Sequence, residues 1–242
     1  MVTLPETGLA GITALFGVML CGLGIYTSRR WNEPGAASFG AVAVILGLGG
    51  IGSSLVVFVR GVAAAPSTAP LWYSIGYSAW VLSTVPWIMF TLQYTGRVTE
   101  FRWRQVAILA APVFGFLIVE TTSLTVDSLV GQIFGTISIL YAFSILGIGS
   151  YLLLRTTSNY GHLSLYIGLS LTLAQVSTLL TATLTGSIVS DTVDLTAYAL
   201  YATGFILPTA GFGLGLFRYR MFDSTPAVGA LGERAIPRET ND

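Results

Sequence analysis

Seven stretches of the chain run for 18 or more residues with almost no charge, and this pattern restricts the fold more than any single motif does. They cover approximately residues 8–28, 37–59, 71–95, 105–122, 129–154, 163–186 and 195–217, and Glu120, near an end, supplies their one formal charge. About 20 apolar residues cross the ~30 Å hydrocarbon core as a helix, and only helices or closed barrels satisfy the backbone there. A barrel would show short strands of alternating polarity, and no such pattern occurs. Glu6 and no arginine precedes the first stretch, so it reads as a span rather than a signal peptide. The expected fold is an all-α membrane protein: a seven-transmembrane-helix bundle over 1–217 with a short tail over 218–242, multi-pass in the cell membrane.

Arginine sets the expected orientation. Arg29 and Arg30 follow the first span, Arg97, Arg102 and Arg104 the third, Arg155 the fifth, and Arg218, Arg220, Arg234 and Arg238 the seventh. Arg60 alone falls on the other side, which carries Glu6, Asp127, Asp191 and Asp194. The positive-inside rule then predicts an outside amino terminus and a cytoplasmic carboxyl terminus.

Several chemistries are excluded by what the chain lacks. It has no lysine, so a retinal Schiff base cannot form. One cysteine, Cys21, precludes an internal disulfide, and one histidine, His162, precludes a multi-histidine metal or bis-histidine haem site. No nucleophile elbow, zinc-protease motif or phosphate loop is present. The expectation is a protein that is not an enzyme, with no cofactor and no nucleic-acid partner.

The connectors are short, so sequential helices pack as neighbours in an up-and-down path. Glycine is dense in span 2 (Gly47 to Gly52), span 5 and span 7, where small residues let helices approach closely. Pro86, Pro112 and Pro208 lie inside spans 3, 4 and 7 and are expected to bend them.

Span 3 carries Tyr73, Tyr77, Trp80, Thr84, Trp87, Thr91 and Tyr94 at alternating spacings of four and three, which places them on one helical face. Trp72, Tyr73 and Tyr94 fit interfacial belts. Tyr77, Trp80 and Trp87 lie too deep for that, so their face points into the bundle, as core packing or as the wall of a ligand pocket. Gln175 is the polar residue near the middle of span 6, where it either bridges helices or joins such a pocket. Glu120 either pairs with Arg60 or forms, with Gln132, the polar rim of an outward-facing pocket. The candidate ligand-binding set is Tyr77, Trp80, Trp87, Glu120, Gln132 and Gln175.

Two passages carry a family likeness: "PWIMFTLQYTGR" (86–97) and "LPTAGFGLGLFRYRMFDSTPAVGALGERAI" (207–236). Both resemble the seven-helix region at the amino terminus of many archaeal and bacterial sensor histidine kinases. The resemblance implies a receptor that relays its signal along the seventh helix, here through Pro208, Arg218, Tyr219, Arg220, Phe222 and Asp223. Span 7 is expected to continue as one helix to about Phe222. Only 25 residues follow Phe217, whereas a kinase catalytic region needs a domain of well over 100 residues. The resemblance therefore implies a sensor-type domain without its kinase, either stand-alone or a fragment of a longer protein. Its expected partners are the lipid bilayer, a separate histidine kinase or other signalling protein, and a second copy of the chain. Abundant arginine without lysine suits a halophilic archaeon. A transporter or channel and a structural assembly subunit are the alternative readings.

Overall fold

The computed structural model describes residues 3–62, 71–121, 129–156, 191–218 and 220–222. These residues form six helices: α1 (Leu4–Ser28), α2 (Ala36–Arg60), α3 (Leu71–Tyr94), α4 (Trp103–Thr121), α5 (Leu129–Thr156) and α6 (Asp191–Gly213). A π-helical turn, Leu214–Arg218, closes α6. The sixth apolar stretch, with Gln175 and the preceding His162, lies outside the described residues. By length and composition α1, α2, α3 and the stretch Leu195–Arg218 can each cross a membrane.

Among the described residues α1 and α2 make the most extensive contact, and they run antiparallel. Gly17 faces Gly47, and Gly24 faces Gly40. A Cβ added at Gly17 would stand 2.8 Å from the Gly47 carbonyl oxygen, and one at Gly24 2.7 Å from that of Gly40. The two backbones therefore touch at both crossings, with Cys21, Thr27 and Val44 packed beside them. The spacing is seven residues on both helices, the period of a left-handed seam. Cys21 sits between the two crossings, its Sγ 3.9 Å from the Val44 carbonyl oxygen. The opposite face of α1, with Leu15, Val18 and Ile25, is exposed as a lipid-facing surface would be.

α2 is packed on its other sides by the same device. Gly49 admits Ala79 of α3, Gly52 admits Ile75, and Gly50 admits the ring of Phe205 from α6. Consecutive small residues thus serve different neighbours, because each step turns 100° around the helix. α6 lies along α1 and α2, while α5 packs on α3 and α4 on α5.

Tyr201 of α6 fixes the far end of this arrangement. Its ring enters the space that a side chain at Gly76 of α3 would occupy. Its hydroxyl lies 2.5 Å from Ser53 Oγ and 3.3 Å from the Trp72 carbonyl oxygen. Ser53 Oγ in turn lies 2.7 Å from the Gly49 carbonyl oxygen, an acceptor. Trp72, at the start of α3, packs into the bundle. It is buried, with its indole N–H donated to the Val62 carbonyl at 3.0 Å and its ring 4.9 Å from both Tyr198 and Tyr201. The cause is local: Gly61, at φ +77°, ends α2 and turns the chain so that Val62 meets the start of α3. Glu6 closes the same end by accepting the Val62 N–H at 3.1 Å.

Two substitutions two residues apart test the seam. Gly24→Val should lower stability by about 1–3 kcal/mol or more through overpacking, read as a fall in the Tm of the purified protein in detergent. Gly22→Ala, whose Cβ meets nothing within 4 Å, should leave the Tm unchanged or raise it. At the Tyr201 notch, Gly76→Ala should destabilise more than Tyr201→Phe, which removes a hydroxyl whose hydrogen bonds are worth about 0.5–1.5 kcal/mol each.

Candidate functional site

The aromatic face of α3 is buried along most of its length, and it divides between two parts of the bundle. Tyr77 stacks on Tyr73 (centroids 5.7 Å apart) and meets Phe116 of α4 edge-on at 5.4 Å. It belongs to a side cluster with Val81, Val85 and Val113. Trp80 and Trp87 belong instead to the main core, with Phe39, Phe90, Phe205 and Phe212. The structure therefore separates Tyr77 from the two tryptophans.

Trp80 and Trp87 each bury an indole N–H with no hydrogen-bond acceptor among the described residues. Trp87 directs Nε1 at Gly149 of α5, 2.5 Å from where a Cβ would stand, so only glycine leaves room for the ring. Ser150 Oγ, on the next residue, is likewise buried without a partner, as is the Tyr198 hydroxyl. Tyr198 lies against Thr13 and Ser54 without hydrogen-bond geometry to either. The hydroxyls of those two residues are donated to the carbonyls of Leu9 and Gly50. An unpaired N–H in an apolar interior costs about 1–3 kcal/mol, so this face holds donor capacity that the described chain leaves unused. The sequence stripe points to the tryptophans. Ser150, Gly149 and Tyr198 carry no comparable signal, because small and aromatic residues are common throughout these spans.

At the arginine-rich end, α3 stops in the Tyr94–Thr95–Gly96–Arg97 run. Gly96 adopts φ +69°; the Gly96 N–H bonds to the Gln93 carbonyl at 3.0 Å, and the Arg97 N–H reaches the Leu92 carbonyl at 3.0 Å. This pair of bonds is the Schellman motif, and it requires the left-handed conformation that glycine adopts without strain. The glycine of the motif is thus a helix stop. Gly35, at φ +84°, starts α2 and presses against the last turn of α3, where a Cβ would stand 3.2 Å from the Phe90 carbonyl oxygen. Ser38 donates to Gln93 Oε1 at 2.8 Å, joining the same two helix ends.

Phe39 is the centre of this end. Its buried ring meets Phe90 of α3 at 5.2 Å, Phe212 of α6 at 4.6 Å and Phe222 beyond α6 at 5.9 Å. The path of the chain to Phe222 differs from the single helix expected there. The α-helix ends at Gly213, the π-turn follows, Arg220 adopts φ +48°, and the chain folds back. The Met221 N–H bonds to the Gly215 carbonyl at 3.2 Å. Tyr94 donates its hydroxyl to the Met221 carbonyl at 3.4 Å, and the Tyr94 and Phe222 rings meet edge-on at 6.2 Å. Met221 and Phe222 are buried, while Phe217, Arg218 and Arg220 are exposed. The physical reason is that Phe222 gains a dry seat between Phe39 and Tyr94, which a continuing helix would carry into water or headgroups.

Of the remaining candidate residues, Pro208 lies buried within α6. Tyr219, Asp223 and Gln175 lie outside the described residues, as do the side chains of Glu120 and Gln132. Arg60 is exposed at the end of α2. Tyr94 also borders a recess of about 380 Å³, walled in part by Trp31, Glu33, Gln93 and Glu100.

The two passages singled out in the sequence are therefore two sides of one junction: "QYTGR" supplies Tyr94, and "FRYRMF" supplies Met221 and Phe222. No curated protein and no solved structure matches the chain. A family model described as the N-terminal 7TM region of histidine kinase matches residues 12–226, from the third turn of α1 to beyond the fold-back. The chain is a multi-pass membrane protein and belongs to this family of N-terminal seven-transmembrane regions of histidine kinases.

Proposed function

We propose that this domain is a membrane receptor that takes up a small or membrane-borne signal against the aromatic face of α3 and relays it through the exit of α6. One observation carries the reading: an unbroken series of rings joins the unused donor of Trp87 to the fold-back. Trp87 meets Phe90 at 5.6 Å, Phe90 meets Tyr94 at 5.4 Å, and Tyr94 meets Phe222. Family membership supports a role in sensing at the membrane.

In this reading Trp80 and Trp87 are the donors of the pocket, and Tyr77, Glu120, Gln132 and Gln175 contribute to its walls or rim. Two indole N–H groups set among aromatic rings suit a largely apolar ligand that offers hydrogen-bond acceptors. Pro208, Arg218, Tyr219, Arg220, Phe222 and Asp223 form the relay. Phosphotransfer is left to a histidine kinase module or another signalling protein. The amino terminus lies outside and the arginine-rich end faces the cytoplasm.

Trp87→Phe separates recognition from packing, because it keeps a ring and removes the donor. The unliganded Tm should stay level or rise as an unpaired N–H is lost, whereas stabilisation by a total lipid extract of the host membrane should disappear. A lower Tm with the extract effect intact would assign Trp87 to packing alone. Orientation has its own measurement. In a Cys21→Ser background, cysteines at positions 128 and 192 should react with an impermeant maleimide on intact cells, and one at 100 should not. Labelling at 100 would reverse the topology and remove the inward relay.

A further inference from the structure

The exit of α6 combines three features that a simple helix end does not need. The first is the π-turn Leu214–Arg218, whose i to i+5 bonds hold one more residue per turn than an α-helix does. The second is Arg220 at φ +48°, the one non-glycine residue with positive φ among the described residues. A left-handed conformation disfavours a residue with a Cβ by roughly five- to thirty-fold in population. The third is the burial of Met221 and Phe222 just after two exposed arginines.

These features belong to one closed arrangement, and they are incompatible with the straight helix that the sequence itself favours here. If residues 214–222 were α-helical, Phe222 would stand nine residues beyond Gly213, about 13 Å further along the axis at 1.5 Å per residue. It would then be out of reach of Phe39, which packs on Phe212. Tyr94 would lose the Met221 carbonyl, and the Met221 N–H would exchange Gly215 for a partner one turn back. No intermediate position keeps both sets of contacts.

We propose that the exit of α6 is a two-state latch: Phe222 seated between Phe39 and Tyr94 holds it closed, and release lets the π-turn relax into a continuous helix. Opening carries Phe222 outward and rotates the segment that follows, since removing one residue from a turn changes its heading by about 100°. The seat is made by α2 and α3, so anything that shifts Tyr94 relative to Phe39 changes the latch equilibrium. This deepens the relay proposed above and rests on it for its biological use, but the latch can be measured with neither ligand nor kinase.

Arg220 supplies a test in which two variants move in opposite directions. In the Cys21→Ser chain, purified in detergent so that both ends are accessible, Met221→Cys reports the open state through its rate of maleimide labelling. A minor open state populated at about 0.1–10% makes this site roughly 10- to 1,000-fold slower to label than Phe217→Cys, which is exposed in the closed form. Adding Arg220→Gly removes the left-handed penalty and should slow labelling a further five- to thirty-fold. Adding Phe222→Ala should speed it towards the rate at position 217. The latch is overturned if Met221→Cys labels as fast as Phe217→Cys, or if Arg220→Gly leaves the rate unchanged or raises it. Failure of the relay looks different: the labelling pattern holds, but Arg220→Gly and Phe222→Ala leave the output of the signalling partner unaltered in cells.

Discussion

Lipid offers apolar side chains the same surroundings that a neighbouring helix does, so burying them together yields little. Association within a membrane depends instead on close van der Waals contact and on polar groups satisfied between helices. The backbone contact of α1 with α2 meets that condition most directly. Gly17 and Gly24 lie against the backbone of Gly47 and Gly40, and the antiparallel pair so formed is the platform for the other described helices. Because its α1 side is occupied by backbone, α2 can turn its remaining faces to α3 and α6.

Those faces decide where the aromatic residues go. Gly49 and Gly50 bring Ala79 and Phe205 close, and Gly76 makes room for Tyr201, which closes the space between α2, α3 and α6. The bulky rings are left to fill the two ends: Trp72, Tyr198 and Tyr201 at one, and Phe39, Phe90, Phe212 and Phe222 at the other. Glycine and aromatic residues are thus complementary parts of one packing solution. Charge is kept out of it. The described arginines are exposed or half-exposed at helix ends, where their heads reach water while their stems stay apolar.

The membrane-crossing pattern was legible because hydrocarbon imposes a length and a polarity on every span, and both appear in a single sequence. The buried stripe on α3 was legible for the same kind of reason, since a spacing of three and four is a geometric statement about one helix. Interactions between helices were less accessible. The glycines of span 2 stood out by density, but Gly17 and Gly24 did not, because a seven-residue spacing of two glycines signifies little until the partner register is known. Trp72 sits where an interfacial tryptophan would, and only the turn at Gly61, which delivers the Val62 carbonyl, explains its burial. The fold-back was missed because the arginines and aromatics of "LGLFRYRMF" read equally well as a helix continuing through the headgroup level. The competing term is the seat between Phe39 and Tyr94, formed by residues more than a hundred positions away. Of the candidate site, the tryptophans were visible and the small residues that shape their surroundings were not.

In the proposed relay Tyr94 has two neighbours that matter: Phe90, which leads back to Trp87, and Phe222, which ends the proposed latch. A chain of packed rings does not transmit a graded displacement well, because interiors at crystal-like density resist compression. It can favour one of two discrete arrangements over the other, and small shifts become large responses when the element they act on is bistable. Here the shift would arise at α3, whose Schellman stop fixes where Tyr94 leaves the helix, and the bistable element would be the exit of α6. The Tyr94 hydroxyl holds the Met221 carbonyl at 3.4 Å, at the long end for a hydrogen bond. A weak bond of this kind suits a contact that must break, and in the proposed latch that contact lies where the two motif segments meet.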